Sequence, residues 1–235
     1  HVFKNKITMI IPMNIEQARS NMIEQQIRPW EVLDSSTLET LACVKREAFV
    51  PPGCENLAFS DVELPLTVDG VSTGESMFSP KMEARLLQEL SPKSEDTVFE
   101  IGSGSGYMAA LLSARTRHVQ TWEIHPGLAT FAKTNLAKTG FTNALVMAGD
   151  GFRGINASNT EYDLIVLSGA VEVLPESLQQ RLRIGGRMTV IVGQAPVMSA
   201  VLVHRSGPSQ FDQIKLFETL VRPLTGGPQL ERFRF

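Results

Sequence analysis

A glycine-rich segment, Gly102-Ser-Gly104-Ser-Gly106, follows a short apolar run at residues 98–101. Glycines at a strand-to-helix turn let the backbone approach a ligand closely and adopt angles that other residues avoid. Tyr107 stands where a dinucleotide fingerprint needs glycine, and no Lys-Ser or Lys-Thr pair follows as in a phosphate-binding P-loop. The segment therefore predicts a ligand-binding turn, with a purely structural turn as the alternative.

Two acidic residues strengthen the ligand hypothesis. Glu123 ends the second apolar strand, seventeen positions after Gly106, where its carboxylate could accept hydrogen bonds from ribose hydroxyls. Asp150, between two glycines, closes the third strand and could accept a proton donor such as an adenine amino group. Because open parallel sheets bind ligands at the carboxyl ends of their strands, these features together favour a nucleoside without a diphosphate.

The elements that must position these residues alternate from Thr97 onward. The predicted strands lie at residues 98–101, 119–124, 144–147, 164–167, 188–192, 200–204 and 214–221. The predicted helices follow the glycine turn through Leu112 and then cover residues 127–138 and 176–182. Repeated strand–helix units predict an α/β fold, a doubly wound and mostly parallel sheet with helices on both faces. The two tryptophans, Trp30 and Trp122, are predicted to be core residues.

The segment before Thr97 predicts an N-terminal cap of helices and loops. Apolar residues at helical spacing predict a first helix that Pro29 ends, and a second helix with Ser35 as its N-cap. Residues 51–79 are rich in proline and glycine, which predicts extended or looped backbone. Ser79 and Pro80 then begin a third helix. The predicted divisions are an upstream remnant at residues 1–12, the cap at 13–96 and the ligand-binding α/β domain at 97–235.

The composition excludes several classes of protein. The 235 residues are 43% hydrophobic and 20% charged, as in an ordinary globular protein. The net charge of -3 argues against nucleic acid as a partner, and no apolar run approaches the ~20 residues that cross a bilayer. Cys43 and Cys54 match no zinc or redox motif, which favours a reducing, cytoplasmic location. His118, His125 and His204 have no ligand spacing, so we expect no metal site.

Longer motifs extend the pattern beyond the glycine turn. They include Met22-Ile-Glu-Gln-Gln-Ile, Phe49-Val-Pro, Ala58-Phe-Ser-Asp61, Phe99-Glu-Ile-Gly-Ser-Gly-Ser-Gly-Tyr, Gly149-Asp-Gly, Tyr162-Asp-Leu-Ile-Val and Leu182-Arg-Ile-Gly-Gly-Arg-Met. With these motifs the chain resembles the protein-L-isoaspartate O-methyltransferase family, whose members are class I S-adenosylmethionine-dependent methyltransferases. The similarity covers nearly the whole chain from Met13. The glycine turn occurs in many methyltransferases, whereas the N-terminal helices combined with the loop around residues 58–82 are more specific.

The resemblance implies a Rossmann-like methyltransferase fold, S-adenosyl-L-methionine as cofactor and S-adenosyl-L-homocysteine as product. It also implies transfer of a methyl group to the carboxylate of isoaspartyl residues in damaged proteins or peptides. The glycines of the turn would frame the cofactor's methionine part, Glu123 its ribose, and Asp150 with Gly151 its adenine. The cofactor-binding residues that it implies are Glu100, Ile101, Gly102, Ser103, Gly104, Gly106, Glu123, Ile124, His125, Asp150, Gly151 and Phe152.

The departures from the family pattern lie where the acceptor should bind. The family usually carries Gln-Thr-Ile-Ser, one further residue and then Pro-His-Met, whereas this chain has Glu-Ser-Met-Phe78-Ser79-Pro-Lys81-Met. Phe78 thus takes the place of the characteristic serine, which removes a hydrogen-bond donor and fills space. Near the C-terminus, Arg222 adds a charge to an expected Val-Pro-Leu. The acceptor-binding residues predicted are Phe78, Ser79 and Ser168, with a helix-cap role as the simpler hypothesis for Ser79.

No catalytic residue is assigned, because a carboxylate acceptor is already a competent nucleophile and needs positioning and desolvation more than a strong base. The first functional hypothesis is an isoaspartyl methyltransferase that keeps repair activity. The second keeps the cofactor but changes the acceptor through Phe78 and the altered loop. The third is a non-catalytic nucleoside-binding module. A dinucleotide oxidoreductase comes last, because Tyr107 breaks the fingerprint and no Tyr-x-x-x-Lys pattern follows.

Overall fold

The computed structural model describes residues 14–230, and the segment interpreted as an upstream remnant, residues 1–12, lies outside them. The N-terminal part is helical and then forms a hairpin. Its elements are α1 (Ile15–Met22), a π-helical turn (Ile23–Ile27), a 3-10 turn (Arg28–Trp30), α2 (Ser35–Cys43), two further 3-10 turns (Arg46–Ala48 and Glu55–Leu57), β1 (Leu64–Val68), β2 (Val71–Met77) and α3 (Pro80–Leu90). Strands β1 and β2 pair antiparallel, so part of the region predicted as extended or looped is an ordered hairpin.

The remainder of the described chain is one seven-stranded sheet with helices between its first strands. The elements are β3 (Thr97–Ile101), α4 (Tyr107–Ser113), β4 (His118–Glu123), α5 (Pro126–Thr139), β5 (Ala144–Ala148), α6 (Gly151–Asn156), β6 (Tyr162–Val171), α7 (Glu176–Gln179), β7 (Leu182–Gln194), β8 (Val197–Gly207) and β9 (Gln210–Thr219). The strand order is β5-β4-β3-β6-β7-β8-β9. Strands β3 to β7 pair in parallel, whereas β7, β8 and β9 pair antiparallel. The predicted α/β class and mostly parallel sheet are confirmed.

Apolar side chains form two buried clusters. One joins side chains of the N-terminal helices and hairpin to residues of α4, α5 and the sheet, for example Leu66, Leu87 and Leu111. The other contains Phe99 and Ile165 and packs with α6 and α7. The buried core is therefore continuous across residue 96, the predicted boundary between cap and α/β domain.

Helix starts differ in detail from the prediction. Asp34, not Ser35, caps α2, because the Asp34 carboxylate accepts the Thr37 N–H at 2.7 Å. Ser79 occupies the N-cap position of α3, and Pro80 follows in the first turn as predicted, but the Ser79 side chain makes no capping hydrogen bond. The extended backbone of Ser79 (ψ 151°) thus begins α3 without help from its hydroxyl.

The predicted helix at residues 176–182 is shorter in the structure. α7 ends at Gln179, and Leu182 already pairs with Tyr162 of β6. The next pair joins Arg187 to Leu164, so residues 183–186 bulge out of the ladder. Gly185 adopts a left-handed φ of 87° in this bulge, a conformation that glycine adopts without steric cost.

Candidate functional site

A cavity of about 360 Å³ lies at the carboxyl ends of β3, β4 and β6, between the β1–β2 hairpin and the segment after β9. Its volume is within the range of small-molecule sites. Ten residues predicted for cofactor or acceptor binding line it: Phe78, Ile101, Gly102, Ser103, Gly104, Glu123, Ile124, His125, Gly151 and Ser168. Five others are outside its lining: Ser79, Glu100, Gly106, Asp150 and Phe152.

The glycine turn needs glycine for conformation and for space. Gly102, Gly104 and Gly106 have φ values of 95°, 52° and 86°, in the left-handed region that side chains disfavour. A Cβ at Gly102 would lie 3.1 Å from a methyl group of Leu224 and 3.2 Å from the Ser168 carbonyl oxygen. Side chains at this turn would therefore close the space between β3, β6 and the segment after β9.

Glu123 holds the turn from the end of β4. Its Oε2 accepts the Gly104 N–H at 2.9 Å and its Oε1 accepts the His125 N–H at 2.9 Å. The side chain is buried yet lines the cavity. Because each carboxylate oxygen has two lone pairs, Glu123 keeps acceptor capacity for hydroxyl groups of a ligand.

Glu100 lies beneath the turn as a fully buried carboxyl group. Ser168 donates its hydroxyl to Glu100 Oε1 at 2.8 Å. The other oxygen, Oε2, is buried with no hydrogen-bond partner among the described residues. Burial raises the pKa of Glu100 to about 7, since the charged form loses its solvation. Ser168, predicted for the acceptor, thus contacts both the cavity and this carboxyl group.

Asp150 has a structural role that its sequence context did not reveal. Its Oδ1 accepts the N–H groups of Phe152 at 2.9 Å and Arg153 at 3.4 Å, which caps α6. Its Oδ2 faces Gly226, where a Cβ would approach to 3.0 Å. Asp150 therefore lies between α6 and the segment after β9, next to Gly151, which does line the cavity.

The ring of Phe78 is buried and lines the cavity, and its backbone carbonyl is held by a hydrogen bond. Arg46 donates its Nη2 to the Phe78 carbonyl at 2.8 Å and its Nε to the Ala58 carbonyl at 3.0 Å. The same guanidinium forms a buried ion pair with Glu83 and lies 4.9 Å from the ring centroid of Tyr107. Burial raises the pKa of Glu83, although the Arg46 charge opposes it. This cluster fixes the end of the hairpin and the start of α3 beside the glycine turn.

Several lining residues were not predicted from the sequence. Trp122, predicted as core, is half-buried and lines the cavity, with its indole against Gly149 and Gly154 and its Cβ against Gly151. The hairpin and the segment after β9 supply others, among them Leu66, Glu75, Met77, Arg222 and Leu224. Burial raises the pKa of Glu75, opposed by the nearby Arg222 guanidinium. The departure at Arg222 was the one available sequence signal for the final segment.

Two further structural findings concern other kinds of site. Within residues 14–230, every helix is too short or too polar to span a lipid bilayer. In the same range, no group of three or more His, Cys, Asp or Glu side chains is arranged to hold a metal ion.

Comparison with known sequences defines the family. The family model described as protein-L-isoaspartate(D-aspartate) O-methyltransferase matches residues 17–229. The chain belongs to this family. A relative from Koribacter versatilis, named protein-L-isoaspartate O-methyltransferase, is 35% identical over 88% of this chain and 90% of its own length. A relative of the same name from Staphylothermus marinus is 33% identical over 90% of this chain and 95% of its own length.

Solved structures of family members share the fold. A protein-L-isoaspartate O-methyltransferase structure superposes with a TM-score of 0.76 at 23% identity, covering 88% of this chain and 66% of the other. A structure from Plasmodium falciparum, described as a protein of this family in complex with S-adenosyl-L-homocysteine, superposes with a TM-score of 0.74 at 16% identity. It covers 91% of this chain and 99% of that chain.

Proposed function

We propose that this protein transfers a methyl group from S-adenosyl-L-methionine to the carboxylate of isoaspartyl residues in proteins or peptides. The observation that carries the proposal is the cavity at the carboxyl edge of the parallel sheet, framed by the glycine turn and Glu123. The family membership over residues 17–229 supports the same activity. The relative from Plasmodium falciparum, which was solved with S-adenosyl-L-homocysteine, supports the cofactor.

The proposed cofactor site keeps the twelve residues expected from the sequence, with the turn and Glu123 at its centre. The residues present fit such a cofactor, because the three glycines of the turn leave its backbone accessible and Glu123 retains lone pairs beside the cavity. Ile124, directly after β4, and Gly151, at the start of α6, would contact the base. Glu100, Gly106, Asp150 and Phe152 would act by holding the turn and the start of α6 rather than by lining the cavity.

The proposed methyl transfer depends on how the protein positions the donor and the acceptor. When bound, S-adenosyl-L-methionine supplies a methyl group on a sulfonium sulfur, and its transfer to a carboxylate oxygen leaves S-adenosyl-L-homocysteine. The acceptor oxygen is already anionic at neutral pH, so the protein has to orient it and exclude water. Phe78 and Met77 on the hairpin side provide an apolar wall for this purpose. Phe78, Ser79 and Ser168 remain the proposed acceptor-side residues, with Ser79 acting through the start of α3.

We also propose the domain organisation expected from the sequence. Residues 13–96 form the acceptor-side cap, and residues 97–235 form the cofactor-binding domain. We further propose that the protein repairs damaged proteins in the cytoplasm. Cys43 and Cys54 are free thiols in the structure, which supports a reducing compartment.

Methyl transfer to a defined peptide tests the activity. The protein is incubated with labelled S-adenosyl-L-methionine and a peptide containing one isoaspartyl residue, and the matched aspartyl peptide is the control. We expect label in the isoaspartyl peptide alone, released by base as expected for an ester. Equal labelling of both peptides, or of neither, would contradict the proposed acceptor.

Calorimetric titration with S-adenosyl-L-homocysteine tests the cofactor site separately. Glu123→Gln replaces one acceptor oxygen by an amide donor that faces an N–H group, so we expect about tenfold to hundredfold weaker binding. Glu95→Gln, an exposed position before β3, is the matched control and should bind as the wild type does. Unchanged affinity in Glu123→Gln would exclude Glu123 from the site.

A second candidate function is methylation of a different acceptor with the same cofactor. It is favoured by the Phe78 ring, which lines the cavity where a hydroxyl is expected from the family resemblance. Tight binding of S-adenosyl-L-homocysteine without transfer to isoaspartyl peptides would support this candidate over the first.

A further inference from the structure

The segment after β9 returns to the end of β6 and brings Arg222 to the cavity. The Ala170 N–H donates to the Arg222 carbonyl at 2.9 Å, and the Leu224 N–H donates to the Ala170 carbonyl at 2.7 Å. Gly169 allows this approach, since a Cβ there would lie 2.7 Å from Leu224 Cγ. The backbone at Arg222 is therefore held in place beside the end of β6.

The Arg222 side chain reaches across the cavity mouth to the hairpin. A Cβ at Gly74 of β2 would lie 3.5 Å from Nη2, 3.7 Å from Cζ and 3.8 Å from Nη1 of Arg222. The guanidinium therefore occupies the space that a side chain at position 74 would need. Among the described residues, no ion pair engages the N–H donors of this guanidinium, so they are left for another partner.

The charges around the cavity make this arginine unusual. Four glutamates are among the lining residues: Glu63, Glu75, Glu83 and Glu123. The basic side chains in the lining are Arg222 and His125, and His125 Nδ1 already accepts the Leu128 N–H at 3.4 Å. Within the described part of the chain, Arg222 is exposed and lies near Glu75, whose charged form it favours. It forms no direct ion pair there. An anionic acceptor entering this cavity meets one guanidinium among several carboxylates.

Other donors in the lining are less suited to a carboxylate. Phe78 presents a hydrocarbon ring, and the Ser168 hydroxyl donates to Glu100. The Ser103 hydroxyl shares a 2.6 Å hydrogen bond with Thr121. A guanidinium, in contrast, matches the geometry of a carboxylate and pairs with it by charge-assisted hydrogen bonds.

We propose that Arg222 binds the carboxylate of the methyl acceptor and thereby selects for an anionic residue, an inference that rests on the proposed function. One carboxylate oxygen pairs with the guanidinium and leaves the other free to take the methyl group. The ester that forms is neutral, so it loses the charge that Arg222 recognises. Arg222 thus favours substrate over product at the acceptor site.

Steady-state kinetics with an isoaspartyl peptide test the proposal. Arg222→Gln should raise KM for the peptide about tenfold to a hundredfold, the loss expected for a charge-assisted pair. Its affinity for S-adenosyl-L-homocysteine should stay within about twofold of the wild type. Arg222→Lys keeps the charge and should recover part of the peptide KM. Arg117→Gln removes an exposed arginine before β4 and is the control for net charge.

Peptide binding measured without the methyl donor gives a readout that turnover does not affect. In the presence of S-adenosyl-L-homocysteine, the wild type should bind the isoaspartyl peptide more tightly than the same peptide with a carboxamide in place of the carboxylate. Arg222→Gln should lose this preference. The inference is wrong if Arg222→Gln keeps both the preference for the carboxylate peptide and the wild-type KM. It is also wrong if the variant loses affinity for S-adenosyl-L-homocysteine as much as it loses affinity for the peptide.

The outcomes separate this inference from the proposed function. If the wild type methylates the isoaspartyl peptide and Arg222→Gln does so with the same KM, only the proposed role of Arg222 is wrong. A wild type that binds S-adenosyl-L-homocysteine but neither binds nor methylates the isoaspartyl peptide overturns the proposed function and the role of Arg222 with it.

Discussion

The buried side chain of Glu100, just before the glycine turn, makes the stability of the fold depend on pH. The carboxyl group is fully buried, and the nearby hydroxyls of Thr121 and Ser168 stabilise its charged form only in part. Its pKa rises from 4.5 to about 7 because burial disfavours the charged form. The folded state therefore binds a proton that the unfolded state releases between these two pH values. Stability from this group is full below about pH 4.5, falls as the pH rises, and is lost above about pH 7.

Replacing Glu100 by glutamine should flatten this dependence. Glutamine is neutral at every pH and its oxygen can still accept the Ser168 hydroxyl. We expect the wild type to lose on the order of 2 to 3 kcal/mol of unfolding free energy between pH 5 and pH 8 relative to Glu100→Gln. Urea denaturation at pH 5, 6, 7 and 8 measures the difference, with Glu95→Gln as the exposed control. Parallel pH profiles for wild type and Glu100→Gln would show that Glu100 ionises normally.

The β1–β2 hairpin acts at the scale of elements as one wall of the cavity. Leu66 of β1 lies near the glycine turn, where a Cβ at Gly104 would approach its methyl group to 3.3 Å. Val68 of the same strand packs on the first turn of α5, where a Cβ at Gly127 would lie 2.6 Å from Val68 Cγ1. The hairpin is thus fitted to the turn and to α5 by the absence of side chains at two glycines.

Gly127→Ala should displace the hairpin from α5. Valine is stiff at χ1, so the contact cannot be relieved by rotation alone, and we expect a loss of about 1 to 3 kcal/mol of unfolding free energy. Val68→Ala should remove most of the added cost of Gly127→Ala. A double-mutant cycle followed by urea denaturation measures this coupling. Additive effects of the two substitutions would contradict the contact.

The sequence predicted the strands of the sheet because each is a short apolar run bounded by turn residues, and it predicted Glu123 because strand ends meet at one edge. It did not predict the hairpin, since Pro65, Gly70 and Gly74 are typical of loops when their pairing partner is unknown. Asp150 looked like a ligand-binding residue, but its carboxylate also caps α6. Arg222 reaches the cavity because its carbonyl accepts the Ala170 N–H and Pro223 forms a bridge with Ala170, long-range contacts that local patterns do not encode.

The whole molecule is expected to unfold as one unit despite its two sequence patterns. One apolar cluster includes side chains from the N-terminal helices, the hairpin and the sheet. Trp30, before α2, also packs on Phe217 of β9 with ring centroids 4.7 Å apart. Loss of either part would expose the apolar surface of the other, which favours a cooperative transition.

The two tryptophans of the chain provide the test. Trp122→Phe leaves Trp30 as the emitter in the N-terminal part, and Trp30→Phe leaves Trp122 in β4. In each variant, the urea midpoint from fluorescence should coincide with the midpoint from circular dichroism. Saturating S-adenosyl-L-homocysteine should raise both midpoints together, since a ligand of the native state stabilises the whole cooperative unit. Separate midpoints for the two emitters would show that the parts unfold independently.

The pairing of residues 222–224 with Ala170 also orders events during synthesis. The residues of the cap, the glycine turn and every strand of the sheet leave the ribosome before Arg222 and Leu224 do. Because β9 ends only three residues before Arg222, this side of the cavity is completed together with the last strand of the sheet. The proposed recognition of an acceptor would therefore become available only late in synthesis, after the residues that line the rest of the cavity.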